Sequence, residues 1–270
     1  MPGRRASAPN PAGAHFLRDA ALIAQLVRAS GAGEGRLVLD MGAGHGAITA
    51  ALASSGARVI AIERDPHCAA GLRRRVAGHP RVSVVEADLR EVRLPRRDFL
   101  VVASVPFSIT TALLRRLAGD PSVPLAGAEL LVAWGVARWL TARVPRDAET
   151  AWWTARYQMR IACRVPAASF APPPRVAAAH LSIRPRPLAA SAEGQRLLRL
   201  LLRAAYRWPD VPLHQAVRDV AARGGQQGAG VRRLLSRAGI SPDARAAQLS
   251  AEQWHGFAML LAQGPLSGGP

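Results

Sequence analysis

Two short stretches of this chain hold residue types that can do chemistry. Asp40-Met41-Gly42-Ala43-Gly44-His45-Gly46 follows the apolar run Leu37-Val38-Leu39, and Ser104-Val105-Pro106-Phe107 follows Leu100-Val101-Val102-Ala103. Each reads as a buried strand ending in a special turn. In an open α/β sheet, ligands bind beyond the carboxyl ends of the strands. Two such turns on one sheet would set a nucleotide-like cofactor beside a planar amine. The chemistry that uses both is methyl transfer from S-adenosylmethionine to an amino nitrogen of a base.

The glycine turn taken alone is less specific. Gly42-Ala43-Gly44-His45-Gly46-Ala47 also fits the G-x-G-x-x-A dinucleotide fingerprint of NAD and flavin sites, and a tight strand-to-helix turn without a ligand has the same form. The acidic residue expected about 20 positions further on is Glu63, after the strand Arg58–Ile62. A carboxylate there can accept hydrogen bonds from both ribose hydroxyls. Asp88 follows the strand Val82–Glu86 and reads either as an acceptor for an adenine amine or as a helix cap.

Ser104-Val105-Pro106-Phe107 separates the cofactors. A hydride-transfer enzyme has no use for a polar-x-Pro-aromatic turn, whereas an amino methylase does. The exocyclic amine of adenine or cytosine is a poor nucleophile because its lone pair is delocalised into the ring. Two acceptors aimed at its protons favour a tetrahedral nitrogen. Here they would be Ser104 Oγ and a backbone carbonyl near Val105, with Phe107 stacked on the base. The structural alternative is a Pro-terminated strand with a core Phe. The amine needs only positioning in line with an activated methyl group, so no metal is called for.

With these residues in view, the chain resembles the ribosomal RNA adenine N6-methyltransferases, above all the branch that confers macrolide–lincosamide–streptogramin B resistance. The resemblance runs from about Asn10 to about Arg184. It rests on Gly13-Ala14-His15-Phe16-Leu17, Asp40 to Gly46, Ile62-Glu63-Arg64-Asp65, Ala87-Asp88-Leu89, Val105 to Thr111, and Phe170-Ala171-Pro172-Pro173-Pro174-Arg175-Val176. It implies cofactor contacts at His15, Leu17, Gly42, Gly44, Glu63, Asp88 and Ser104, and a target adenine held between Phe107 and Phe170. It implies 23S rRNA as the partner, methylated before ribosome assembly is complete. Three departures stand out. Ser104 replaces the usual Asn, Ala14 the usual Gln, and Ala133-Trp134-Gly135 a segment that usually carries Glu. Ser is familiar in this turn from cytosine N4-methylases. Three other readings stay open: a 16S rRNA adenine dimethyltransferase, an RNA-binding relative with weak or lost activity, and a nicotinamide oxidoreductase.

The 270 residues carry a formal net charge of +18, and all 36 Lys+Arg are Arg. Asn10 is the only Asn, the mark of a GC-rich coding sequence. A charge of this size points to a polyanionic partner, and Arg pairs with phosphate and stacks on bases. Residues 1–184 hold 25 Arg against 13 Asp+Glu, and residues 185–270 hold 11 against 5. Cys68 and Cys163 form neither a disulfide framework nor a zinc pattern. No apolar run reaches a membrane span and no signal peptide is visible, so a cytoplasmic monomer is expected.

The elements that must position the site follow from periodicity. Residues 1–9 read as a disordered tail. Helices are expected over Ala20–Ala29 and Pro66–Ala77, where Arg73-Arg74-Arg75 reads as a solvated face first and an RNA-contacting edge second. Alternation of strands and helices to about residue 145 predicts a mostly parallel sheet. Tyr157–Cys163 and Ala179–Ile183 read as an antiparallel hairpin at its edge. The fold class is α/β: a Rossmann-like methyltransferase sheet over residues 10–185, followed by a small all-helical RNA-binding domain over residues 186–270. Helices are expected at Glu193–Tyr206, Val231–Ala238 and Ala251–Leu261, a flexible loop at Gly224–Gly230, and a frayed tail at Gly264–Pro270.

Overall fold

In the computed structural model, the described residues are 15–187, 192–218, 220 and 228–262. The expected N-terminal tail, Ala14, residues 224–227 of the expected loop and the tail at 264–270 lie outside them.

The elements run β1 (Phe16–Leu17), α1 (Ala20–Ser30), β2 (Leu37–Met41), α2 (Ala47–Ala53), β3 (Arg58–Glu63), α3 (Pro66–Arg75), β4 (Val82–Glu86) and β5 (Phe99–Ser104). Next come α4 (Thr110–Ala118), β6 (Leu125–Ala133), α5 (Trp134–Leu140), α6 (Ala148–Arg156), β7 (Tyr157–Val165), β8 (Phe170–Ala171) and β9 (Ala178–Pro185). The chain closes with α7 (Ala192–Arg207), α8 (Leu213–Ala216), α9 (Gly228–Arg237) and α10 (Ala251–Ala262).

Seven strands form one sheet in the order β4-β3-β2-β5-β6-β9-β7. The first five are parallel, whereas β9 runs antiparallel to both β6 and β7. Every residue of β2 is buried, as expected for a strand with helices on both faces. From β2 the chain winds outward through β3 and β4, then returns to lay β5 and β6 on the other side. The order therefore reverses between β2 and β5. A topological switch point of this kind opens a crevice at the carboxyl ends of the two strands. Both turns singled out by sequence leave from those ends.

The helix starts are set locally. Asp19 Oδ1 accepts from the Leu22 N–H at 3.0 Å, and Asp65 Oδ1 from the Cys68 N–H at 2.9 Å, capping α1 and α3. Pro66 opens α3, where its missing N–H has no cost. Two expectations need correction, and one helix lies outside them. Gly228–Gly230 is the first turn of α9, not part of a loop. Asp88 caps no helix: residues 89–91 are a turn, and its carbonyl accepts from the Glu91 and Val92 N–H groups. Helix α6, with Trp152 and Trp153 buried, is an element that the periodicity reading did not single out.

The helices beyond β9 pack on α6. Leu198, Leu201, Leu202, Trp254 and Phe257 are buried in the same apolar cluster as Trp153 and the β5 and β6 side chains Val101 and Leu130. Among the described residues, no helix is long and apolar enough to cross a membrane.

Candidate active site

A cavity of about 700 Å³ opens over the carboxyl ends of β2, β3 and β5. Its lining brings together His15, Leu17, Gly42, Gly44, Glu63, Asp88, Ser104, Phe107 and Phe170. These residues span the sequence from 15 to 170, and the seven-stranded sheet together with the separate β1–β8 pair gathers them.

The floor is the β2–α2 turn. Gly42, Gly44 and Gly46 have φ of 85°, 53° and 79°, a region that a side chain rarely adopts. Space tells the same story at two of them. A Cβ on Gly44 would lie 2.9 Å from the Phe16 ring, and one on Gly46 would lie 2.3 Å from Leu72 Cδ1. The turn is fixed from beneath, where the Gly42 and Ala43 N–H groups both donate to the Ile62 carbonyl at 2.9 and 3.0 Å.

Glu63 ties this turn to the next. One carboxylate oxygen accepts from the Gly44 N–H and the other from the Asp65 N–H, each at 2.8 Å. A carboxylate oxygen has room for two hydrogen bonds, so each keeps one acceptor position at the cavity wall. Asp88 is more heavily engaged. Its Oδ1 accepts from the Arg90 N–H at 2.8 Å and from Arg90 Nε at 3.0 Å, while Oδ2 takes Arg90 Nη2 at 2.6 Å with Arg64 at 3.6 Å. The Arg90 guanidinium and N–H hold the Asp88 carboxyl well below the usual carboxylate range. One acceptor position on Oδ2 remains.

Asp40 belongs in the site, although sequence reasoning used it only as the start of a motif. It is fully buried and lines the cavity. Its Oδ2 accepts from Thr49 Oγ1 at 2.5 Å, and its Oδ1 has no partner among the described residues. Burial, and then the charge of Glu63, push its carboxyl up to about 7. The signal was present in the sequence as a lone carboxylate inside an otherwise apolar strand.

The far wall comes from chain ends that sequence patterns link poorly. β1 pairs antiparallel with β8, matching Phe16 with Ala171 and Leu17 with Phe170. His15 Nδ1 lies 2.9 Å from the Pro172 carbonyl, and Ser169 Oγ donates to Asp19 Oδ2 at 3.0 Å. The segment beside the glycine turn is thereby bound to the segment that carries Phe170. Phe170 is buried, whereas Phe107 is half-buried, with its ring centroid 6.1 Å from that of His15. Ser104, half-buried, ends β5 opposite Leu131 of β6.

The profile of the family described as "Ribosomal RNA adenine dimethylase" matches residues 10–263. The chain belongs to the ribosomal RNA adenine dimethylase family. Among relatives of this family, the rRNA adenine N-6-methyltransferase of Bacillus licheniformis is 27% identical over 217 residues, covering 80% of this chain and 76% of that protein. The ribosomal RNA small subunit methyltransferase A of Synechococcus sp. (strain RCC307) is 34% identical, covering 92% of this chain and 94% of that one. Among solved structures, the 23S rRNA methyltransferase ErmE superposes with a TM-score of 0.75 at 24% identity, covering 91% of this chain and 99% of that one. A dimethyladenosine transferase from Plasmodium falciparum gives 0.71 at 19%, covering 90% and 96%.

This member of the dimethylase family is therefore an S-adenosylmethionine-dependent rRNA adenine N6-methyltransferase. The cavity suits that cofactor. Three positive-φ glycines let backbone approach a ligand closely, Glu63 offers free acceptor positions, and the unpaired Asp40 oxygen suits a cationic group.

Proposed function

We propose that this enzyme methylates an adenine N6 in 23S rRNA and confers macrolide-type resistance, acting as a cytoplasmic monomer on RNA not yet fully assembled into ribosomes. The observation that carries the reading is the His15-Phe16-Leu17 segment, one of the stretches on which the resemblance to the resistance branch rests, held by β8 at the cavity wall. The 23S rRNA methyltransferase ErmE shares this fold, and the Bacillus licheniformis relative is an rRNA adenine N-6-methyltransferase.

In this reading Glu63 accepts from the ribose hydroxyls, Asp88 accepts from the adenine amine through its remaining Oδ2 position, and His15 and Leu17 line the cofactor's flank. When bound, S-adenosylmethionine supplies a methyl group already activated by its sulfonium. Ser104 Oγ and a carbonyl near Val105 accept from the target amine and turn its lone pair forward. A serine hydroxyl can accept only with its own proton directed elsewhere. Phe107 and Phe170 hold the base after it leaves its stack, a requirement for chemistry on a base edge. The proton leaves to water after transfer. The region 186–270 adds RNA grip through its arginines.

A second reading is favoured by the 34% identity to the small-subunit enzyme over 92% of this chain. It assigns a 16S rRNA adenine as the substrate. One experiment separates the two. Pure protein is incubated with labelled S-adenosylmethionine and either protein-free 23S or 16S rRNA, and the modified base is mapped. Label at an adenine N6 of 23S rRNA is the expected outcome; label confined to 16S rRNA transfers the assignment to the second reading.

A further inference from the structure

A second groove, of about 420 Å³, lies at the same end of the sheet and has no part in the cofactor cavity. It is lined by Arg164, Pro166, Pro174, Arg175 and Val176, among others. The strand register fixes its place. Ser104 of β5 pairs with Leu131 of β6, and Ala133, two residues on, pairs with Ala178 of β9, which pairs in turn with Val165 of β7. Neighbouring strands lie about 4.8 Å apart, so the end of β7 is three strand spacings, about 14 Å, from Ser104 along the carboxyl edge. The link between the two sites is short in sequence, because Phe170 lines the cavity and Pro174 the groove.

Beside the groove, Arg164 lies over the Trp134 ring, with its guanidinium carbon 5.3 Å from the centroid. Trp134 opens α5 straight after β6, and its N–H donates to the Ala177 carbonyl at 2.8 Å. Arg164 owes its direction to a register shift between Ile161 and Cys163. Ile161 pairs with Leu181 and Cys163 with His180, so side chains after the shift exchange faces. Without it, Arg164 would share the face of Arg160; with it, Arg164 shares the face of Leu181. Bulges beside functional sites re-aim side chains in this way.

The groove is cationic and uncompensated. Arg164 and Arg175 are exposed, and neither forms an ion pair among the described residues. No carboxylate lines the groove, and the exposed apolar surface beside them is Val176. A guanidinium lying over an indole gives a cationic, partly apolar surface on which an unstacked base can lie.

We propose that this groove is a subsite for a nucleotide flanking the target adenine, with its base on the Arg164–Trp134 stack and its phosphate at Arg175. The inference rests on the chain being an rRNA adenine methyltransferase, not on which rRNA it takes. RNA is favoured over a protein segment because the groove adjoins the turn that carries Phe170 and holds two arginines without an ion pair among the described residues, with no acid in its lining.

The test uses the whole chain and a short stem-loop of the methylated region. Trp134→Ala and Arg164→Ala should each raise KM for RNA about tenfold, the scale of one stacked base, with kcat and S-adenosylmethionine affinity little changed. Trp134→Phe should keep most of the affinity. Arg175→Ala should reduce the slope of log affinity against log salt by about 0.7. Making each flanking nucleotide abasic in turn should, at one position, weaken binding to the parent but not to Arg164→Ala. Anisotropy of the labelled RNA reads this without any methyl transfer. Equal abasic penalties in parent and variant, or unchanged KM in both alanine variants, would overturn the subsite. So would a dimer lost on Trp134→Ala with RNA affinity intact, which would make the groove a contact between two copies. A parent that binds the RNA but methylates neither rRNA would overturn the functional reading instead.

Discussion

Asp40 sits without solvent contact beneath the glycine turn, and its carboxyl is raised from 3.8 to about 7, by burial first. Between these values the folded protein holds a proton that the unfolded chain has released. Stability from this group is full below about 4 and lost as pH rises to about 7. Asp40→Asn, which keeps an acceptor for Thr49, should flatten the fall in melting temperature across that window. A cationic ligand draws Asp40 toward its ionised form. Binding of S-adenosylmethionine near neutral pH should therefore release a proton, read as a buffer-dependent heat in calorimetry, and Asp40→Asn should abolish that dependence. Phe107 gives a contrasting case. It is half-buried and belongs to the wall rather than the floor. If it stacks on the target base, Phe107→Ala should lower methyl transfer by about tenfold or more and leave cofactor affinity nearly unchanged. Equal losses in both would place Phe107 with the cofactor.

At the scale of elements, the turn between β2 and α2 is held by α3 as much as by its own glycines. Gly46 combines φ of 79° with a Cβ position 2.3 Å from Leu72 Cδ1, a buried side chain of α3. Gly46→Ala should cost about 1–3 kcal/mol from the backbone alone, and the Leu72 clash should separate α2 from α3. Thermal melting and cofactor titration of the variant check both effects, and an unchanged melting temperature would show that α3 yields. The central strands were legible because β2 and β5 are buried apolar runs, interrupted only by Asp40 and by the terminal Ser104. The β1–β8 pair was not, since two residues carry no periodicity, and their pairing depends on a partner more than 150 positions away. The same limit hid the tie between His15 and the Pro172 carbonyl. Gly228–Gly230 misled in the opposite direction, because three small residues look like a loop until the buried Leu234 and Leu235 that follow draw them into α9.

For the whole molecule, charge and core pull in different directions. The core is shared: Trp153 of α6, Leu198 of α7 and Trp254 of α10 fall in one apolar cluster with the sheet. The charge is spread, with an excess of Arg over acid on both sides of residue 184. On α7, Arg196, Arg199, Arg203 and Arg207 are all exposed, and none forms an ion pair among the described residues. Arg199 lies 5.8 Å from the Trp152 ring and Arg207 5.7 Å from that of Trp208, which is itself exposed. The stripe was visible in the sequence, but its lack of close ion pairs among the described residues was not, because pairing depends on what the fold brings near; Asp120 is the acid whose charge reaches Arg199. RNA affinity should fall linearly with log salt, by about 0.7 log units per phosphate contacted on a single strand. Replacing all four arginines by Gln should then make the slope shallower by up to about 2.8, or four contacts of 0.7 each, with the melting temperature held because none of the four is buried. An unchanged slope would make the stripe an ordinary solvated face. The RNA would then be held at the carboxyl edge of the sheet, and the C-terminal helices would serve to cover Trp152 and Trp153.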